Sequence, residues 1–225
     1  MISNYLKSKN IIEYIKPTID DEELQKNYSD GYYYLNSYPH SEFYYYYENL
    51  FNTTELNLIK AIGNRLPTEN GSVGNSSNLE VNVEIRNSNV SWIRVNDETK
   101  WIYEKLTKCI VDINQHHFKY DLEKIEILQF TRYFGNSNGF YSSHIDISPH
   151  NIPSNRKLSF VLQLSSPEEY IGGELRMHIG KDPICIKKQK GLITFFPSYV
   201  LHECTHITEG ERYVLVGWVH GPPFK

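Results

Sequence analysis

Two side chains that can bind a metal stand close together in the segment FYSSHID (140–146). His144 and Asp146 are separated by one residue, and in a β-strand such residues project to the same side. One carboxylate and two imidazoles on one face of an octahedron leave the opposite positions open, as in non-haem Fe(II) sites that bind O₂. The H-x-D pair alone is weak evidence, because the chain has nine histidines and a solvated histidine beside an aspartate in a turn would look the same. A third ligand must come from elsewhere in the chain.

The segment LHECTHI (201–207) offers two histidines for that third position. His202 and His206 alternate onto the same face of a predicted strand, so direction does not separate them. Spacing does, because Arg212 lies ten residues after His202 and only six after His206. A short turn at TEGE (208–211) would bring Arg212 back to the edge of the metal site, where a guanidinium can clamp a carboxylate through two hydrogen bonds. We therefore predict His202 as the ligand and His206 as a rim residue.

Other histidines are weaker candidates. His150 follows the strand in a proline-containing loop, and His116 and His117 follow a predicted helix. We expect all three to be ordinary surface or packing residues and not metal ligands.

The overall composition limits the class of protein. A chain of 225 residues suits one domain, or one domain with an extension. Three cysteines form an odd and sparse set, which favours a reducing compartment, and we expect a cytoplasmic protein. No window approaches the roughly 18 apolar residues of a membrane span. The net charge of −4 disfavours a protein whose main partner is nucleic acid.

Helices are predicted in the first half of the chain. Asn52 and Glu55 resemble a capping box, and apolar residues follow at helical spacing. Asp97 is predicted to cap a second helix. Residues 81–95 alternate well enough for one or two strands. The predicted buried faces of the two helices are Leu56, Ile59, Ile62 and Leu66, then Ile102, Leu106, Cys109, Ile110 and Ile113.

Short predicted strands dominate after residue 120, which favours a sandwich or barrel. A Tyr-rich extension is predicted over 1–50 and a single domain over 51–225. The predicted class is α+β, mainly β, with helices packed on one sheet. The strand segments are 123–133, 140–146, 158–165, 173–179, 191–197, 201–207 and 212–219.

At these motifs, residues 81–225 resemble the prolyl-hydroxylase-like branch of the Fe(II)/2-oxoglutarate oxygenases, and most of all its PKHD-type hydroxylases. The matching pattern is H-x-D at 144–146, a histidine 58 positions after His144, and an arginine ten positions later. The resemblance implies a double-stranded β-helix, a jelly-roll of the cupin kind, over about 123–220. It also implies Fe(II) as the metal, 2-oxoglutarate as co-substrate bound by Arg212, and ascorbate as a candidate accessory reductant.

Further site residues follow from the same resemblance. Tyr133 fits a tyrosine that contacts the tail of 2-oxoglutarate, although its spacing of eleven residues to His144 is longer than usual. Ser159, Val161 and Gln163 should share the face that lines the co-substrate pocket, with Gln163 as a polar contact. Packing roles remain open as the alternative for the substrate-side candidates, which are Arg86, Ser88, Tyr141 and Trp218.

The resemblance implies a dioxygenase that hydroxylates an unactivated C–H bond, with a peptidyl proline as the favoured substrate and succinate and CO₂ as products. Asp146 argues against halogenation, because the related halogenases lack this carboxylate. A free amino acid or other small molecule is the alternative substrate. Demethylation of nucleic acid is disfavoured, because the related repair enzymes carry arginines further beyond the distal histidine. A cupin-like binding module without oxidation is a further alternative, but it would not need Arg212.

Overall fold

The computed structural model describes residues 43–75, 78–147 and 155–222. Helix α1 (Thr53–Arg65) begins at the predicted capping box. The Asn52 side chain accepts a hydrogen bond from the Glu55 backbone N–H at 3.0 Å, and the Glu55 carboxylate accepts one from the Asn52 N–H at 2.9 Å. This reciprocal pair satisfies two backbone donors that a helix start leaves free, so the prediction is confirmed.

The second helix, α2 (Lys100–Ile113), begins later than predicted. Asp97 does not cap it, and its side chain is fully exposed. Instead, the Asn96 side chain accepts hydrogen bonds from the backbone N–H groups of Glu98 and Thr99. The predicted apolar face is confirmed, with all five residues buried: Ile102, Leu106, Cys109, Ile110 and Ile113.

Most of the chain after α2 is β-structure. The strands, in chain order, are β1 (Tyr45–Tyr47), β2 (Glu69–Asn70), β3 (Val73–Asn75), β4 (Asn78–Glu80), β5 (Arg86–Asn87), β6 (Asn89–Ile93), β7 (Lys124–Ile125), β8 (Leu128–Phe134), β9 (Phe140–His144), β10 (Arg156–Gln163), β11 (Tyr170–Gly172), β12 (Leu175–Met177), β13 (Ile184–Cys185), β14 (Ile193–Pro197), β15 (His202–Cys204) and β16 (Ile207–His220).

These strands form two main antiparallel sheets. The larger sheet has the order β1-β14-β10-β16-β8-β6-β2, with β7 and β11 also paired to β16. The smaller sheet has the order β13-β12-β15-β9-β5, and β3 pairs with β4. One apolar cluster fills the space between the two sheets, and a second lies between the larger sheet and both helices. The predicted double-stranded β-helix with helices on one sheet is confirmed.

Two predicted strands are interrupted. Residues 123–133 form β7 and β8 with a break at Glu126, whose backbone N–H donates to the Trp218 carbonyl. Residues 81–95 contain a turn, followed by β5 and β6. In both cases the partner strand, and not the local alternation, sets where pairing stops.

The predicted turn at 208–211 is wrong, because this segment lies inside the continuous strand β16. Strand β11 pairs with it, placing Tyr170 opposite Gly210 and Ile171 opposite Glu209. Gly210 has φ of +73°, and a Cβ there would lie 2.0 Å from the Glu169 carbonyl oxygen. Only glycine fits this close approach, so the glycine marks an irregularity within a strand and not the end of one.

Strand β1 lies within the predicted extension and pairs with β14. Residues 1–42 lie outside the described residues, so the division at residue 50 stays a prediction. In the part of the chain that the structure describes, no helix is long and apolar enough to cross a membrane.

Candidate metal centre

The smaller sheet brings the predicted metal ligands together. His144 ends β9 and His202 begins β15, and the two residues are direct cross-strand partners. Asp146 lies beyond the end of β9, where its backbone N–H donates to the Ser198 carbonyl at 2.9 Å. Its carboxylate oxygens are each 3.7 Å from one histidine Nε2. All three ligand atoms lie within 4.8 Å of one another, which is close enough to share one ion.

Backbone carbonyls set the tautomer of both histidines. Nδ1 of His144 lies 2.8 Å from the Ser142 carbonyl oxygen, and Nδ1 of His202 lies 2.9 Å from that of Val200. Each Nδ1–H therefore donates, which leaves the Nε2 lone pair free for a metal. Burial, together with the nearby His202, lowers the pKa of His144 to about 3, so its imidazole is neutral at physiological pH.

The Asp146 carboxylate is held by a pair of buried serines. The Ser159 hydroxyl donates to Oδ2 of Asp146 at 2.6 Å and lies 3.0 Å from the Ser198 hydroxyl. Burial raises the pKa of Asp146, but His202, His144 and the Ser159 hydrogen bond together lower it below its usual range. One carboxylate and two imidazoles are the ligand set that suits non-haem Fe(II).

A stack of side chains extends from His144 toward the substrate-side candidates. The Tyr141 ring stacks on His144 with centroids 3.6 Å apart, and the Arg86 guanidinium lies 4.6 Å from the Tyr141 ring centre. Arg86 also donates to the Ser88 hydroxyl at 2.8 Å and to the Ser72 carbonyl at 3.2 Å. The predicted residues Arg86, Ser88 and Tyr141 are thus connected to one side of the metal site.

Arg212 lies in the interior on β16, directly opposite Tyr133 of β8. Its side chain is 2% exposed, and no carboxylate of the described residues lies within 4 Å of it. Nη1 donates to Cys204 Sγ at 3.2 Å, the Tyr170 hydroxyl interacts with the same guanidinium, and Nε has no partner. Burial raises the pKa of Tyr133, which therefore stays a neutral phenol. The buried Arg212 cation thus has no anionic partner among the described residues.

Further unpaired polar atoms lie on the same interior face. Gln163 pairs with Val214, two residues from Arg212, and its Oε1 has no hydrogen-bond partner among the described residues. Thr194 is opposite Val161 on the neighbouring strand, and its hydroxyl is buried and also without a partner. Buried polar atoms are rarely left unpaired, so this face is expected to receive a polar ligand.

Comparison with known proteins agrees with this geometry. The model of the 2OG-Fe(II) oxygenase superfamily matches residues 128–220, which include the whole triad and Arg212. Residues 128–220 therefore carry the sequence pattern of this superfamily. The cofactors are Fe(II) and 2-oxoglutarate, and the triad is the iron site.

A PKHD-type hydroxylase of Prochlorococcus marinus strain NATL1A is 45% identical over 80 residues, which is 35% of each chain. The chain thus spans about a third of the length of this relative. A prolyl-4-hydroxylase of Pseudomonas putida superposes with a TM-score of 0.65 at 20% identity, over 80% of this chain and 94% of that one. A Trichoplax adhaerens prolyl hydroxylase was solved with a peptide fragment of the hypoxia inducible factor. It superposes with a TM-score of 0.67 at 20% identity, over 91% of this chain and 94% of that one. These two structures confirm the fold.

Trp218 lies beside a charged cluster near the metal site. Trp218 is buried, its Nε1 has no partner, and the Arg156 guanidinium lies 4.0 Å from the ring centre. Arg156 binds both carboxylate oxygens of Glu126 at 2.7 Å and donates to the Asp146 carbonyl at 3.3 Å. Glu126 also contacts His220. Burial raises the pKa of Glu126, but Arg156 and His220 lower it by more than burial raises it. The carboxylate is therefore ionised.

His206 does not join the metal centre. The expectation that it shares a strand with His202 is wrong, because β15 ends at Cys204 and the chain crosses to the larger sheet before β16. His206 is exposed, stacks on Phe140 at 4.1 Å and lies 3.3 Å from the Asn138 carbonyl oxygen. His150 lies outside the described residues.

Several residues of the site were not predicted. Cys204 and Tyr170 at Arg212, Arg156 at Trp218, and the hydrogen bond from Ser159 to Asp146 all depend on contacts between distant strands. Only Cys204 had a local signal, since it follows His202 by two residues and must share its face in a strand.

Proposed function

We propose that this protein is an Fe(II)- and 2-oxoglutarate-dependent dioxygenase that hydroxylates a peptidyl proline and releases succinate and CO₂. The supporting observation is the buried guanidinium of Arg212, which has no anionic partner among the described residues. An unpaired buried charge costs several kcal/mol. A carboxylate ligand would remove that cost, and 2-oxoglutarate carries one at each end.

Each residue of the site has a distinct role in this proposal. His144, Asp146 and His202 would hold the iron, which when bound supplies the oxidation of the substrate C–H bond by O₂ coupled to decarboxylation of 2-oxoglutarate. Arg212 would bind the distal carboxylate of the co-substrate. Two further polar groups complete that pocket in the proposal, the Tyr133 hydroxyl and the Gln163 amide.

A peptide is the favoured substrate because the metal site is flanked by exposed apolar side chains. Ile145, Tyr199 and Leu201 are all exposed, and each is within three residues of a triad ligand. The substrate-side candidates Arg86, Ser88, Tyr141 and Trp218 would add polar and aromatic contacts in this proposal. The relatives named as PKHD-type and prolyl hydroxylases support the same substrate class. The alternative remains hydroxylation of a free amino acid or other small molecule by the same residues.

Succinate release tests the chemistry directly. The full chain, supplied with Fe(II), 2-oxoglutarate, O₂ and ascorbate, is expected to form succinate and to add one oxygen atom to proline-containing peptides, as measured by mass spectrometry. His202→Ala should abolish both products, whereas His206→Ala, a histidine outside the triad, should not. Wild-type rates in His202→Ala would refute the proposed iron site. Hydroxylation of free proline, but of no peptide, would favour the small-molecule alternative.

We also place the protein in the cytoplasm. Its three cysteines are all free thiols, as a reducing compartment favours. The net charge of −4 supports a partner other than nucleic acid.

A further inference from the structure

Arg212 is held in one orientation by a sulfur atom. Its Nη1 donates to Cys204 Sγ at 3.2 Å, and the thiol lies 3.6 Å from the Thr205 carbonyl oxygen, to which it can donate. The guanidinium also interacts with the Tyr170 hydroxyl, and its buried Nε has no hydrogen-bond partner among the described residues. Nη1 is therefore fixed by the sulfur, while Nε is left available within the interior.

The planar shape of the guanidinium gives this contact a consequence. Its N–H groups are arranged in a rigid fork, and a carboxylate binds two of them along one edge. Nη1 lies on the side away from the Nε–H, so a sulfur on Nη1 leaves the edge that contains Nε for the carboxylate. A thiol is a weak, uncharged acceptor, so it can orient the arginine without neutralising it.

The position of Cys204 along its strand suits this task. It follows His202 by two residues on β15, so it lies on the same face, about 6.6 Å further along the strand. One short strand thus carries a metal ligand and the contact to the arginine, one near each end of the co-substrate. The opposite strand contributes His144 and Tyr141 at the matching positions.

We propose that Cys204 is a positioning residue for co-substrate binding, whose sulfur holds Nη1 of Arg212 so that the Nε edge receives the distal carboxylate of 2-oxoglutarate. This inference rests on the proposed function. It assigns a role to a side chain that belongs neither to the metal triad nor to the predicted co-substrate contacts.

Binding of 2-oxoglutarate to Mn(II)-loaded protein, measured by calorimetry without turnover, tests this role. Cys204→Val should weaken binding about 3- to 10-fold, on the scale of one lost hydrogen bond. Cys204→Ser, which keeps an acceptor, should stay within about 3-fold of wild type, and Cys185→Ser on β13 serves as the control. Cys204→Asp places a carboxylate against Arg212 and should abolish binding.

A ligand without the distal carboxylate separates positioning from simple loss of structure. Binding of 2-oxobutyrate, and of Mn(II) itself, should be the same in Cys204→Val and wild type. Equal 2-oxoglutarate affinity in the two proteins would overturn the role of Cys204 while leaving the proposed function intact. If the wild type bound no 2-oxoglutarate, the proposed function itself would fail.

Discussion

The metal triad and the pocket around Arg212 are neighbours that differ in how their polar atoms are satisfied. In the triad, both histidine Nδ1 atoms and one Asp146 oxygen already have protein partners. In the pocket, the Arg212 Nε and the Gln163 Oε1 have no partner within the part of the chain that the structure describes. The triad is therefore preorganised for its ion, whereas the pocket is completed only by a ligand. Mutations should accordingly affect metal binding and co-substrate binding separately.

The largest effect is expected from Asp146→Ala, which removes the only anionic ligand of the triad. Loss of an outer partner of a ligand already costs about 10- to 100-fold in metal affinity, so loss of the ligand should cost more than about 100-fold. Mn(II) titration followed by electron paramagnetic resonance measures the change. Asp97→Ala, at an exposed site, is the control, and unchanged affinity in Asp146→Ala would show that the carboxylate is not a ligand.

Arg212→Met should separate stability from binding. It should weaken 2-oxoglutarate binding by about 2–5 kcal/mol, the scale of truncating one partner of a buried charged pair. Because Arg212 has no anionic partner among the residues that the structure describes, thermal unfolding of the metal-free protein should shift little or move upward. A strongly lowered unfolding temperature would mean that Arg212 is a structural residue.

Ser159→Ala tests how much the hydrogen bond from Ser159 to Asp146 contributes to metal binding by the triad. Loss of the hydrogen bond to Oδ2 should weaken metal binding about 10-fold and leave 2-oxoglutarate affinity at saturating metal nearly unchanged. Ser143→Ala is the matched control, since Ser143 lies on β9 beside His144 but contacts Glu203 and not the triad. Equal metal affinity in both variants would contradict the role of Ser159.

The smallest effect concerns the dependence of stability on pH. The folded pKa of His144 is about 3, below its unfolded value near 6.5, so the unfolded chain binds more protons between these values. Stability of the metal-free protein should therefore fall as pH is lowered from about 6.5. The low pKa of Asp146 acts in the same direction at more acidic pH. His144→Gln should flatten the dependence in urea unfolding measured from pH 7 to pH 4, and an unchanged slope would contradict a buried neutral imidazole.

The residues of this site also differ in how well they could be predicted from the sequence. The triad could be predicted because the spacing of His144, Asp146 and His202 matches the family pattern, although Asp146 lies beyond the end of β9. The role of Arg212 stays a prediction. The capping box at Asn52 was predictable because its contacts are local. Strand ends were less so, since the turn predicted at 208–211 is overridden by pairing with β11.

Partners of the site residues could not be predicted in the same way. Ser159 meets Asp146, and Arg156 meets Glu126, across strands that lie far apart in sequence. No local pattern encodes such a contact, because it depends on the register between strands. For Cys204, the sequence predicts the face of the strand on which the side chain lies, but not its contact with Arg212.

Strand β1 has a consequence for the solubility of shortened forms of the protein. Tyr45–Tyr47 covers the outer edge of β14, whose other edge is paired with β10. A fragment that began at residue 51 would expose a row of backbone N–H and C=O groups along a strand rich in apolar residues, ITFFP. Such an edge is a template for pairing with another chain. The tyrosines of β1 thus cover an edge of the larger sheet that would otherwise be open to self-association.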